Sequence, residues 1–391
     1  MKITKVTPWI VSFPWEMRIG VEQEKVVNDR NLVLVQVDTD EGITGWGEIT
    51  TYPGPVANRA VAAMVGQVSE FLEGESTNHF ERLWSKIFHS FTYVGSRGAT
   101  TALISGIDIA LWDIRGKELG LPIYELLGGP VRDRIALYTH PPEPRNAPDA
   151  IADAQQIIDA GYEAFKFDPM MRFIPGGNDG FLDGQLSREG IATADEIVGA
   201  VREAIGPDIE ILIDAHGMYN VPTAIELANR LGKHDIHWFE EPVRVESWRA
   251  LEQVRRETSV KISVGERLHT RWEFVPIFEN SLADFVMPDV TWTGGITELK
   301  KISTMAEAYY VPVSPHDASG PINVLAGAHV MMTTPNFYKL ETMRYDLGAY
   351  GAFIEPGLDI RNGDLYVPDT PGLGIEMDMD YLRSHVTFGG Q

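Results

Sequence analysis

The chain has 391 residues, 44% hydrophobic and 23% charged, which fits a soluble globular protein of two domains or of one large barrel with an accessory unit. Its 33 basic and 56 acidic side chains leave a formal net charge of −23 with no dense basic run, which argues against nucleic acid and anionic membrane surfaces as partners. The absence of cysteine removes disulfides, thiolate nucleophiles, iron–sulfur clusters and cysteine-based zinc sites.

The opening MKITKVTPWIVSFPW lacks the long apolar core and small-residue cleavage site of a signal peptide. No uninterrupted apolar stretch approaches a membrane span, so a cytoplasmic location is expected. Residues 31–38, NLVLVQVD, alternate as a strand does, and Asp40-Glu41-Gly42 turns the chain into a second strand, ITGWGE. Helical patterns follow at about 56–72, 79–92 and 99–118; the last is apolar on nearly every face, and Gly120 is its stop signal. An α+β N-terminal domain over 1–130 is expected.

From residue 131 to 350 the pattern is strand, helix, strand. Eight strand-like runs lie at 134–140, 162–168, 209–216, 236–241, 260–266, 283–289, 310–316 and 337–341, with helix-like segments such as 193–205, 222–232 and 296–308 between them. Strands alternating with helices predict a parallel α/β sheet, and eight is the number that closes a barrel of the TIM type. An open doubly wound sheet is the alternative, but no GxGxxG follows a strand to support its dinucleotide-binding form. Residues 351–391 leave this pattern and are expected to pack elsewhere, with YLRSHVTF as a final strand. Residues 13–29 and 169–191 read as loops able to move.

The chemistry lies at the strand ends, which share one face in a barrel. Asp214, Glu240 and Glu266 follow one another at intervals of 26 residues, one βα unit each. Three converging carboxylates repel one another unless a cation sits between them, and all-oxygen ligation favours Mg²⁺. Asp289 and His316 end neighbouring runs; a carboxylate beside an imidazole fixes its tautomer and makes the histidine a competent general base. His216, two residues after Asp214, shares a strand face with it and could bind the metal, hold substrate or act as a general acid. Lys166 ends the second run and could serve as a cation for a carboxylate, a base or a surface ammonium. The other eight histidines read as structural or solvated.

These residues carry a family resemblance. GITGWGE, the 106–129 segment GIDIALWDIRGKELGLPIYELLGG, FEEP at 239–242, GGITE at 294–298 and TPGLG at 370–374 resemble the mandelate-racemase branch of the enolase superfamily over essentially the whole chain. The resemblance implies a (β/α)7β barrel, an N-terminal cap completed by the C-terminal segment, and loops near 13–29 and 50–56 that close over substrate. Asp214-Ala215-His216, Gly265-Glu266-Arg267, Ser314-Pro315-His316 and Gly320-Pro321-Ile322 are similar to acid-sugar dehydratases such as galactonate dehydratase. Glu341 falls where that group keeps a catalytic-site glutamate. Asp168 stands where racemases of the branch carry a second lysine, which argues against a two-base racemase.

The implied activity is Mg²⁺-dependent removal of the C2 proton of a sugar acid to an enediolate, then loss of the C3 hydroxyl to give a 2-keto-3-deoxy acid. In that reaction His316, beside Asp289, is the base, His216 the acid and Glu341 a further catalytic residue, and Lys166, Asp168 and Arg267 hold substrate. A homo-oligomer is implied. A racemase, epimerase or cycloisomerase shares the enediolate without losing water, and an inactive metal- or ligand-binding regulator is the reading from another class.

Overall fold

A computed structural model describes residues 1–390 apart from 23, 51–54, 174–183, 318 and 344–349. The chain opens with strands β1 (Ile3–Ile19), β2 (Glu24–Thr39) and β3 (Thr44–Ile49), an antiparallel meander. Alternation in β2 serves two cores. Val33, Val35 and Val37 pack on the N-terminal helices, whereas Leu32 and Leu34 join the core of the second unit. The helices are α1 (Pro55–Leu72), α2 (Phe80–Ser90), α3 (Ala99–Leu119) and the short α4 (Ile123–Leu126). α3 is buried along most of its length and stops at Gly120, whose φ of 70° only glycine adopts readily. Its close approach to β3 needs glycine: a Cβ on Gly47 would lie 1.8 Å from the Gly106 carbonyl oxygen.

Residues 13–29 are not the loop expected from their polarity. Phe13 pairs with Arg30 and the ladder continues to Ile19 opposite Glu24, so the segment is the distal half of a long hairpin. Its tip is tied down, because the Gly20 and Val21 amides donate to Asp153 and Asp149.

The second unit alternates β4 (Ile135–His140), α5 (Ala147–Asp159), β5 (Ala164–Phe167), α6 (Arg188–Ile205), β6 (Glu210–Asp214), α7 (Val221–Leu231), β7 (Trp238–Glu240), α8 (Trp248–Glu257), β8 (Ile262–Val264), α9 (Thr270–Glu279), β9 (Phe285–Val286), α10 (Gly295–Ala308), α11 (Pro321–Met332) and β10 (Leu340–Met343). Asn146, Ser187, Asn220 and Ser247 cap α5, α6, α7 and α8, so these helices start directly after their loops. Strands β4 to β9 pair in parallel in chain order and β10 pairs in parallel with β4. The expected strand at 310–316 shrinks to Val313, which bridges Val286 and Phe337. Pro312 and Pro315 have no N–H to give a ladder, and Tyr310 turns out of α10 at a φ of 57°. The result is a barrel-like α/β unit whose strand C-termini face one side. Of the expected 169–191 loop, 171–173 form one 3-10 turn, 174–183 lie outside the described residues, and α6 begins at Arg188.

The C-terminal segment touches both units. After β11 (Ile354–Glu355), β12 (Asp359–Arg361) pairs with β13 (Asp364–Tyr366), which pairs with β4. β14 (Glu376–Met377) pairs with β11, and β15 (Val386–Gly389) pairs with β1. Residues 381–385 of the expected last strand are instead the end of helix α12 (Met379–His385), because Asp378 caps it by accepting from the Asp380 and Tyr381 amides.

Candidate active site

Asp214 and Glu240 are the last residues of β6 and β7, and Glu266 follows β8 by two positions. One ligand oxygen from each lies within 4.8 Å of the others. The parallel register, Asp214 against Glu240, puts them there. Lys166 of β5 is also gathered into the cluster, not left at the surface. Its Nζ lies 2.8 Å from Glu240, 3.1 Å from Asp214 and 2.9 Å from Glu341. Burial opposes the ammonium, but Glu240, Glu341 and their neighbours outweigh it and hold its pKa well above the ordinary lysine value.

The cluster divides its carboxylates electrostatically. Burial disfavours ionised Asp214, yet His216 and Lys166 keep it below the ordinary range. Burial and Asp214 together push Glu240 far up. A divalent cation among these three oxygens would relieve that repulsion, and the donor set is all oxygen, so the residues fit a hard cation.

The two histidines stand in different strands' loops. His316 Nδ1 lies 2.9 Å from Asp289 Oδ2, and its Nε2 lies 3.3 Å from Glu266 and 3.9 Å from Glu341. His216 Nδ1 lies 3.0 Å from Asp168 and its Nε2 3.6 Å from Asp214. Burial works against both imidazolium ions. The carboxylates prevail, Glu341 foremost for His316 and Asp214 for His216, and each pKa rises to about 10. Asp168 is itself fixed by the Met170 amide at 2.7 Å. Arg267 donates from Nε to Glu266 at 3.0 Å, and its side chain is partly exposed. All ten candidate residues therefore lie on or against this one cluster.

Sequence reasoning missed several residues. His140 ends β4 and places Nδ1 3.9 Å from Glu341, so it is not among the solvated histidines. Burial and Lys166 lower its pKa to about 3, which keeps it neutral. The strand-end rule, applied to the first run as to the others, finds it. Tyr138 donates to Glu341 at 3.1 Å. Tyr219 and Glu241 are buried beside the carboxylates; Glu241 lies in the FEEP motif at a strand end, whereas no sequence signal singles out Tyr219. His234, bonded to Asp195, and His329, bonded to the Leu373 carbonyl, stand apart as expected.

This arrangement has two imidazoles, each oriented by a carboxylate, flanking an anionic cation site, which is equipment for moving protons near a stabilised anion. Residues 3–128 match the family profile described as mandelate racemase / muconate lactonizing enzyme, N-terminal domain, and residues 149–381 match enolase C-terminal domain-like. The D-xylonate dehydratase of Haloferax volcanii is 33% identical over 91% of this chain and 86% of its own. The D-galactonate dehydratase of Ralstonia pickettii is 33% identical over 97% of this chain and 92% of its own. The structure of the 3,6-anhydro-D-galactonate cycloisomerase from Zobellia galactanivorans superposes with a TM-score of 0.83 at 30% identity, covering 99% of this chain and 100% of that one. No described helix is long and apolar enough to cross a membrane.

Proposed function

The chain belongs to the mandelate racemase / muconate lactonizing enzyme family of the enolase superfamily, and from that membership we propose that it is a lyase, a Mg²⁺-dependent dehydratase of a sugar acid. The observation that carries the reading is the pair of carboxylate-oriented histidines on either side of Asp214, Glu240 and Glu266. Kinship to dehydratases of D-xylonate and D-galactonate supports the substrate class.

Asp214, Glu240 and Glu266 would hold Mg²⁺, and the ion would supply Lewis-acid stabilisation to a substrate carboxylate gaining negative charge. His316 takes the C2 proton at Nε2, because Asp289 occupies Nδ1. His316 must be neutral at Nε2 to take that proton. His216, which Asp168 holds at Nδ1, gives a proton from Nε2 to the departing C3 hydroxyl. β7, β8 and β9 separate the strand of His216 from the segment of His316, so a substrate between them meets base and acid on different sides. Lys166 and Arg267 supply positive charge toward the substrate carboxylate, and Glu341 holds Lys166 in place. A closed (β/α)7β barrel of residues 131–350, under a cap of 1–130 and 351–391, is the frame we assign to this site.

A screen of sugar-acid stereoisomers with Mg²⁺, read by a 2-keto acid assay, tests the proposal. Formation of a keto acid from at least one aldonate or aldarate is expected; none across the panel rejects dehydration. Cycloisomerisation is the second reading, prompted by the Zobellia relative; it rearranges its substrate without losing water, so a product equal in mass to the substrate, instead of one lighter by a water, identifies it.

A further inference from the structure

We infer that strand β3 of the N-terminal unit positions the His316–Asp289 pair, with Glu48 and Thr50 as positioning residues for the histidine. The inference rests on the reading of His316 as the base, and it adds a control on that base from the other unit of the fold.

Both oxygens of Asp289 are held by groups that lead back to β3. Oδ1 accepts from the Thr291 amide at 2.8 Å and the Thr291 hydroxyl at 2.7 Å. The Thr291 hydroxyl is also in contact with the Thr50 hydroxyl, which in turn meets the Ser319 hydroxyl. Each hydroxyl has one proton, and an ionised carboxylate only accepts. The order of donation is therefore Ser319 to Thr50 to Thr291 to Asp289, in which each bond polarises the next.

The second oxygen, Oδ2, faces His316 Nδ1 at 2.9 Å and the Asn323 side-chain amide at 3.4 Å. Asn323 sits in the first turn of α11, and Glu48 holds that turn. The Gly320 amide donates to Glu48 Oε1, and the Asn323 amide to Oε2 at 3.2 Å. The fit leaves no slack, since a Cβ on Gly320 would lie 2.7 Å from Glu48 Oε2. Glu48, Thr50, Thr291, Ser319 and Asn323 are all buried. Apolar contacts would suffice to join two units. A buried polar series ending on the carboxylate that orients the histidine does more: it fixes where the Nδ1 proton points and which nitrogen is left to accept.

The test uses the full chain loaded with Mg²⁺. Thr50→Val keeps the shape and removes the hydroxyl; Thr50→Ser restores it. The ¹H–¹⁵N signal of the His316 Nδ1 proton is followed without substrate, and kcat and KM are measured with whichever acid the screen identifies. Thr50→Val should shift the Nδ1 proton signal and lower kcat about tenfold with KM changed less than about twofold, and Thr50→Ser should recover most of both. A Thr50→Val protein that loses thermal stability but keeps the wild-type signal and kcat overturns the inference. Should Thr50→Val not fold, Ser319→Ala, which deletes only the first hydroxyl, must move the same signal in the same direction; an unmoved signal is again a rejection. If no sugar acid is turned over, the dehydratase reading fails, while the Nδ1 signal still decides this one.

Discussion

Lys166 and Glu240 form a buried ion pair, Nζ to Oε1 at 2.8 Å, across the strand that carries Asp214. The ammonium therefore already sits beside two of the three carboxylates offered to a cation. Neutralising it should expose how strongly these anions repel. Lys166→Met is expected to lose about 3 kcal/mol of stability in chelator, the cost of an uncompensated buried charge. Mg²⁺ should then raise its Tm by more than it raises the wild-type Tm. Calorimetry with EDTA and with Mg²⁺ checks this, and equal Mg²⁺ shifts in both proteins would contradict it.

Glu240→Gln keeps the shape of a ligand and removes its charge. Mg²⁺ affinity by titration calorimetry should fall at least about tenfold and turnover should vanish, whereas the fold, by circular dichroism, should persist. Unchanged affinity would remove Glu240 from the metal site.

The two histidines should separate by reaction step. His316→Asn is expected to lose both dehydration and exchange of the C2 hydrogen with deuterated solvent. His216→Asn should lose dehydration and keep C2 exchange, because Asp289 and His316 are untouched. NMR of substrate recovered from D₂O reads both. Dehydration at the wild-type rate by His216→Asn would transfer the acid role elsewhere.

Asp108 links α3 to α10, accepting from the Thr297 amide at 2.9 Å and its hydroxyl at 2.6 Å. Burial outweighs these bonds and raises its pKa from 3.8 to about 7. The folded state thus binds a proton that the unfolded state releases near pH 4. The stability this contributes is complete below pH 4 and is lost as pH rises through 7, with a slope of up to about 1.4 kcal/mol per pH unit. Asp108→Asn, whose amide can accept from the Thr297 N–H and donate to its hydroxyl, should flatten that part of the Tm–pH profile. An identical slope in the variant would contradict the assignment.

The hairpin tip should depend on α5. The Gly20 amide donates to Asp153 and the Val21 amide to Asp149, each at 3.0 Å. Asp149→Ala should speed hydrogen exchange of the peptide containing Val21 at least severalfold and leave α3 peptides unchanged. Sugar acid at saturation should slow the wild-type peptide, and no change in either comparison would detach the tip from the site.

Local chemistry made much of this molecule legible. Gly120 ends α3, Asp40-Glu41-Gly42 turns β2 into β3, and the regular spacing of Asp214, Glu240 and Glu266 reflects one βα unit per step. Polar residues after apolar runs marked the strand ends, and hence the cluster, because strand direction alone carries them to one face. Where two local signals competed, the sequence was ambiguous. Polar 13–29 forms a hairpin because the ladder satisfies its backbone, and 381–385 turns helical because Asp378 supplies the cap.

What the sequence by itself determined is the set of groups: three carboxylates in βα register, and two histidines, of which His316 has Asp289 as its acidic partner; the pairing of His216 with Asp168 came from the fold. What only the tertiary structure decided is their electrostatic state and their company. The burial of Lys166, the neutrality of His140 and the bonds from Glu48 and Thr50 to the neighbourhood of Asp289 arise between residues far apart in the chain. A pKa depends on the solvent removed and the charges brought within a few ångströms, and neither quantity exists until the chain has folded.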